Sequence, residues 1–86
     1  MEIAYKPTFL RQFKKLPLAL QEEAFARIEQ FRDPAAHSSL RVHKLKGELA
    51  GRYSFSVNYR YRIMFIWEVP NQSAVLLAIG DHSLYD

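Results

Sequence analysis

The residues most able to do chemistry lie between positions 43 and 65, in the stretch HKLKGELAGRYSFSVNYRYRIMF. Charged side chains there are interspersed with aromatic and aliphatic ones, as in strands that carry polar groups on one face. Cations of this kind suit a phosphodiester, because they stabilise charge on the phosphate while other ionisable groups move protons. The ionisable members are His43, Lys44, Lys46, Glu48, Arg52, Arg60 and Arg62.

Arg62 stands out because it lies inside the apolar run YRIMFIWEV, residues 61–69. In a strand, the odd-numbered residues of this run share one face, and Arg62 begins the opposite face. An unpaired guanidinium is costly to bury, so Arg62 should lie near an open surface or meet an anion. The anion is either a structural carboxylate, such as Glu48 or Asp81, or the phosphate of a ligand.

Lys44, Lys46 and Glu48 are spaced by two residues. If this segment is extended, all three side chains point to one side. Two ammonium groups and a carboxylate on one side resemble a phosphate site with a built-in base. A solvated edge strand is the alternative interpretation, because lysines on edge strands also prevent aggregation.

The chain closes with IGDHSLYD, so His82 and Tyr85 follow directly after an apolar run. They are therefore expected to emerge at an edge of the sheet. Histidine exchanges its proton near neutral pH, and within reach of arginine, lysine and glutamate it becomes a candidate general acid. No P-loop, GxGxxG, HExxH or nucleophile elbow offers a rival site.

Hydrophobic periodicity predicts the elements that position these groups. A short strand at 2–5 precedes two helices, the first opened by Pro7 and the second opened by Pro17 and ended before Pro34. Strands follow at 52–57, 61–69 and 74–80. The prediction is one α+β domain over residues 1–86, in the order β-α-α-β-β-β, with a small, mostly antiparallel twisted sheet and a two-helix hairpin on one face.

Composition narrows the classes further. The 86 residues suffice for one domain, and 49% are hydrophobic. The absence of cysteine excludes a disulfide scaffold and a thiolate metal site. No apolar run approaches the roughly 20 residues of a membrane span, and the N-terminal MEIAYKPTF lacks a signal-peptide pattern, so we expect a cytoplasmic protein with no membrane partner. A net charge of +3 raises the expectation of a nucleic-acid partner only modestly.

Taken together, the chain resembles the RelE/ParE superfamily of bacterial toxins from type II toxin–antitoxin modules, over residues 1–86. The resemblance rests on the element order, on the helical hairpin opened by KPTFLRQFKKLP, on the stretch at 43–65, and on the closing IGDHSLYD. It implies either a ribosome-dependent endoribonuclease that cleaves mRNA, as in the RelE and YoeB branches, or a ParE-type inhibitor that binds DNA gyrase without catalysis.

The ribonuclease branches imply a role for each matching residue. Lys44 and Lys46 match paired basic positions of the RelE branch, and Glu48 matches the YoeB-type glutamate that acts as general base. Arg62 matches the arginine on the scissile phosphate, His82 the acid, and Tyr85 the terminal tyrosine. We also expect Arg52 and Arg60 to contact RNA. One departure is that Ser56–Val57 stands where the RelE branch has a further arginine.

The implied chemistry uses no metal or cofactor: the mRNA 2′-hydroxyl attacks the adjacent phosphate, and general acid–base catalysis moves the protons. The implied partners are the ribosome with its mRNA and a cognate antitoxin that covers the basic face with a helix or an extended segment. Operator DNA would be bound only through the antitoxin complex.

Overall fold

A computed structural model describes residues 1–68, 73–81 and 84 of the chain. Two helices, α1 (Pro7–Lys14) and α2 (Leu18–Phe31), pack on one side of a five-stranded sheet. Short 3₁₀ helices form at Pro34–Ala36 and Gly47–Leu49. The strands are β1 (Ile3–Tyr5), β2 (His43–Lys44), β3 (Tyr53–Ser56), β4 (Arg62–Glu68) and β5 (Ser73–Gly80).

Two prolines and one glutamine shape the helical hairpin. Pro7 occupies the first turn of α1, where a missing backbone N–H costs little. Pro17 precedes α2 with φ −54° and ψ 148°, so the first helix ends and the second begins at Leu18. The Gln21 side-chain amide donates to the carbonyl oxygen of Leu16 at 2.9 Å, which satisfies an acceptor beyond the end of α1.

The strand order is β1-β5-β4-β3-β2, which places β4 at the centre of the sheet. Of the strand pairs formed by the described residues, only β1–β5 is parallel. The β4–β5 register shifts between Met64 and Phe65, and nearby the Ile79 N–H donates to Gln12 Oε1 at 2.9 Å. Helix α1 is therefore tied to the sheet where the ladder is irregular.

The core lies between the helices and one face of the sheet, and its centre is aromatic. Phe31 of α2 stacks on Phe55 with ring centroids 4.3 Å apart and meets Phe65 edge-on at 4.8 Å. All three rings are fully buried. Burying each aromatic side chain contributes about 1.5–3 kcal/mol, so this cluster fixes the helices against the sheet.

The predicted α+β fold class is confirmed, with the helical hairpin on one face of the sheet. The alternation in β4 is also as predicted, because Ile63 and Phe65 face the helices and Arg62 begins the other face. The predicted element order did not include β2, although the edge-strand interpretation of Lys44 falls on this two-residue strand at the edge of the sheet. Neither helix of the described chain has the length and apolar character needed to cross a bilayer.

Candidate functional site

Arg62 leaves the sheet on the face opposite the helices, which we call the open face. Its partners on the flanking strands are Ser56 and Gly80. The side chain is half-buried, and its Nη1 donates to the backbone carbonyls of Asn58 and Tyr61, the second at 3.0 Å. Among the described residues, no carboxylate lies within ion-pair distance of this guanidinium, so its charge is not neutralised there.

Asn58 organises the turn that holds Arg62. Its Oδ1 accepts from the backbone N–H groups of Arg60 at 2.9 Å and Tyr61 at 2.8 Å, which closes the β3–β4 turn on itself. Its Nδ2 donates to Glu23 of α2 at 2.8 Å, which anchors the turn to the helical layer. Because the Asn58 carbonyl also accepts from Arg62, one residue fixes both the turn and the guanidinium.

Arg62 lines a depression of about 330 Å³ on the open face, together with Arg41, Ser56, Asn58 and Tyr59. We call it the Arg41–Arg62 depression. It combines two guanidinium groups with a hydroxyl, an amide and an aromatic ring. Arg41 is exposed, and Tyr59 is 90% exposed. Such a lining suits an anion that carries a planar group.

His43 lies one diagonal step from this depression. It pairs with Ser54, two residues before Ser56 on the same face, and diagonal neighbours in a sheet are about 7–8 Å apart. The Nδ1 atom of His43 lies 2.8 Å from the carbonyl oxygen of Arg41. A carbonyl oxygen only accepts, so Nδ1 carries the hydrogen and Nε2 of the neutral ring keeps its lone pair. His43 is exposed, so a ligand can reach its Nε2 atom.

The expectation that Lys44, Lys46 and Glu48 point to one side of an extended segment is wrong. The backbone is still extended at Lys46, but Gly47 has a φ of +66° and begins a 3₁₀ helix that contains Glu48, so the alternation stops before Glu48. Lys44 pairs with Tyr53, which packs against the core on the helical side. Lys44 is thus on the face opposite to Arg62, because paired residues share a face.

Glu48 and Arg52 lie at the end of the β2–β3 hairpin that is remote from Arg62. The Leu45 N–H donates to the Arg52 carbonyl at 2.9 Å, and the 3₁₀ helix closes the hairpin beyond this pair. Ser56, the partner of Arg62, is further along β3 by about 13 Å from Arg52, at 3.3 Å per residue. The expected convergence of Glu48 with Arg62 is therefore not provided by the backbone, and its role as base stays a prediction.

Arg60 lies next to the site but has partners of its own. Its Nη2 is 3.8 Å from Asp81 Oδ2, and its Cζ is 5.7 Å from the centroid of the Tyr61 ring. Asp81 thus pairs with Arg60, not with Arg62. An exposed pair of this kind contributes only about 0–1 kcal/mol, so Arg60 can exchange the carboxylate for a phosphate at little cost.

The predicted acid His82 and the predicted Tyr85 lie outside the described residues, and both assignments stay predictions. Leu84 is described, and it lies over Gly80, where a Cβ atom would come within 3.2 Å of the leucine Cγ. Gly80 pairs with Arg62, so Leu84 lies on the open face, over the strand next to that of Arg62.

Sequence reasoning missed Arg41, Asn58 and Tyr59. Asn58 carried a usable signal, because asparagine between two strands is a common turn former. Arg41 and Tyr59 carried none, since each lies in a connection with no hydrophobic period, and only the folded chain brings the two connections together.

Comparisons with known proteins identify solved structures that share the fold of this chain. The sequence matches no protein-family model and no curated protein. Among solved structures, the YoeB/ParE toxin from Agrobacterium tumefaciens has a TM-score of 0.77 at 14% identity, covering 95% of this chain and 99% of that one. The toxin–antitoxin complex RelBE2 from Mycobacterium tuberculosis gives 0.71 at 23% identity, covering 94% and 96%. The YoeB–YefM complex from Staphylococcus aureus gives 0.73 at 16%, covering 95% and 97%. The chain therefore has the fold of these toxins along nearly its whole length.

Proposed function

We propose that this chain, which has the fold of the RelE, YoeB and ParE toxins, is the toxin of a type II toxin–antitoxin pair and cleaves mRNA on the ribosome. The observation that carries the proposal is the state of Arg62. Only its Nη1 is used for positioning, by two backbone carbonyls, so the other donors of the guanidinium remain available in the described structure. A hydrogen-bond donor that is already held in place stabilises charge that develops on a phosphate without having to reorganise during the reaction.

The expected reaction uses side chains alone. The 2′-oxygen attacks the adjacent phosphorus, and the bond from phosphorus to the 5′-oxygen breaks, which leaves a 2′,3′-cyclic phosphate and a free 5′-hydroxyl. A base takes the 2′ proton, and an acid supplies the proton that the leaving 5′-oxygen needs. Arg62 stabilises the charge that accumulates on the phosphate in the transition state. His82 keeps the predicted role of acid, and Tyr85 keeps its predicted place among the catalytic residues.

Two residues compete for the role of base. Glu48 is the base that the resemblance implies, but it lies at the remote end of the hairpin. His43 lies on the open face, one diagonal step from the depression, with Nε2 unprotonated in the neutral ring. We therefore assign proton removal to His43.

Paired glutamine variants test this assignment. His43→Gln should lower cleavage by about 10²–10⁴-fold, the usual contribution of general base catalysis, whereas Glu48→Gln should leave it unchanged. His37→Gln is the matched control, because the Nε2 of His37 is committed to the Phe31 carbonyl at 2.9 Å. The reverse result for His43 and Glu48 would restore the glutamate as base.

The ribonuclease activity is tested in a cell-free translation system, with primer extension on the message. The parent protein should produce cuts within codons. Arg62→Ala should lose about 10²–10³-fold in cutting rate while its circular dichroism spectrum stays that of the parent. An alanine variant that cuts as fast as the parent would contradict the proposal.

Inhibition of DNA gyrase is the alternative, since one fold supports both activities and one structural neighbour is described as a YoeB/ParE toxin. An intact message together with inhibited supercoiling in the same extract would favour it. The polar groups at the Arg41–Arg62 depression favour the ribonuclease, because a toxin that acts by protein contact has no need of a fixed, unneutralised guanidinium.

An antitoxin is the expected protein partner, as in the RelBE2 and YoeB–YefM complexes. The helical layer offers an apolar surface for it, with Leu10 exposed to 44%, Leu18 to 70% and Phe25 to 58%. Phe25→Asp should weaken neutralisation by the antitoxin without changing message cleavage. If Phe25→Asp instead restores supercoiling in the gyrase assay, the surface binds gyrase.

A further inference from the structure

The backbone at Arg41 is in a conformation that arginine rarely adopts. Its φ is +59°, in the left-handed region. The Val42 N–H donates to the His37 carbonyl at 3.0 Å and the Arg41 N–H to the Ser38 carbonyl at 3.1 Å. These two bonds form a Schellman motif, in which glycine is the usual residue at the left-handed position. Strained backbone conformations of this kind cluster at functional sites.

The Arg41 side chain has no hydrogen-bond or ion-pair partner in the described part of the chain. It is nevertheless placed, because the Ser56 N–H donates to the Leu40 carbonyl at 2.8 Å and holds this connection against the end of β3. Arg41 therefore lines the same depression as Arg62. Two arginines in one depression whose described lining contains no carboxylate favour an anionic ligand.

Tyr59 completes the depression with a ring that packs on little of the protein. It is 90% exposed, yet it lies in a turn held by both ends of the Asn58 side chain. An exposed aromatic ring on a held turn beside cations is the arrangement with which proteins bind single-stranded nucleic acid: the ring stacks on a base and the cations hold the backbone.

We infer that the Arg41–Arg62 depression binds one nucleotide of single-stranded RNA, with the phosphate between Arg41 and Arg62 and the base stacked on Tyr59. The volume of about 330 Å³ lies at the small end of ligand sites, which span roughly 300–1,000 Å³. The inference rests on the proposed function, since it states how the ribonuclease would hold its substrate. An acidic peptide would use the two arginines but would not need Tyr59.

The probe is a fluorescently labelled 2′-O-methyl hexaadenylate, which lacks the attacking hydroxyl, titrated into the full chain and followed by anisotropy. Tyr59→Ala should weaken binding by about 5- to 150-fold, the effect of losing one stacked base. Tyr59→Phe should bind as the parent does. An abasic hexamer should bind Tyr59→Ala and the parent equally.

The variant Arg41→Gly separates the effect of the side chain on RNA binding from the effect of the backbone conformation on stability. It relieves the left-handed strain, so the melting temperature should rise, while hexamer binding weakens and the salt dependence loses about 0.7 in log–log slope for the lost phosphate contact. Lys15→Ala, on the helical layer, removes the same charge and should change neither hexamer affinity nor slope.

Parent-like binding by both Tyr59→Ala and Arg41→Gly would overturn the inference, and so would a hexaglutamate peptide that displaces the hexamer and binds independently of Tyr59. The experiments distinguish a failure of the proposed ribonuclease activity from a failure of the nucleotide site. If the parent leaves the message intact but hexamer binding depends on Tyr59, the activity is wrong and the nucleotide site stands. If the parent cuts the message and Tyr59→Ala cuts equally well, the nucleotide site is wrong and the activity stands.

Discussion

The two faces of the sheet differ in how their polar groups are used. On the helical face, aromatic rings fill the space, and Phe31, Phe55 and Phe65 are fully buried. On the open face, Arg62 and Arg41 keep donors that no described residue accepts. The first arrangement stabilises the fold, and the second leaves interaction energy available for a ligand.

Two histidines show the same difference within one connection. His37 stacks on Phe31 with ring centroids 4.9 Å apart, lies 5.8 Å from Trp67, and donates Nε2–H to the Phe31 carbonyl. His43 is exposed, and its only described side-chain hydrogen bond uses Nδ1. The surroundings, not the residue type, make one histidine structural and leave the other with a ring nitrogen that a ligand can reach.

The largest effect on stability is expected from the helical face. Phe31→Ala should lower the free energy of unfolding by about 3–5 kcal/mol, because it leaves a cavity among four rings. A domain of this size has about 4–13 kcal/mol in total. Denaturant unfolding measures the loss. If the folded fraction of Phe31→Ala cleaves like the parent, the helical face determines stability and not cleavage. A loss below about 1 kcal/mol would contradict the central place given to this ring.

Asn58 joins the two faces, so we expect its substitution to lower both stability and cleavage. Asn58→Ala removes the bonds that close the β3–β4 turn and the bond to Glu23, which should cost about 1–3 kcal/mol of stability. Cleavage should also fall, because the carbonyl that positions Arg62 loses its fixed place. The control combines Asn58→Asp with Glu23→Gln, since it keeps the acceptor for the turn and a donor–acceptor pair with α2, whereas Asn58→Asp alone would set two carboxylates against each other. If cleavage by Asn58→Ala equals that of the parent, Arg62 does not depend on this turn for its position.

The smallest effect is expected from two predicted phosphate contacts that lie on different faces. Lys44→Ala should change neither stability by more than about 0.5 kcal/mol nor the affinity for RNA, because its register places it on the helical side. Arg60→Ala should weaken RNA binding and reduce its salt dependence, since Arg60 adjoins the open-face turn and its pair with Asp81 is weak. An equal loss in both variants would show that RNA contacts the edge of the sheet as well as its open face.

The sequence alone determined the elements and the face on which Arg62 lies. Apolar spacings of three and four, prolines at helix starts and alternation in β4 are local properties, and each survives folding because burial rewards the same pattern. These patterns sufficed for the fold class and for singling out an arginine in an apolar strand.

Only the tertiary structure decided which groups accompany Arg62. Glu48 is closer to Arg62 in sequence than Arg41 is, yet the 3₁₀ helix at Gly47–Leu49 closes the hairpin at its far end and leaves Glu48 there. Arg41 reaches the depression through a left-handed turn that its residue type does not favour. The physical reason is that a residue distant in sequence holds this turn against β3, since the Ser56 N–H donates to the Leu40 carbonyl, and no local pattern reports that bond.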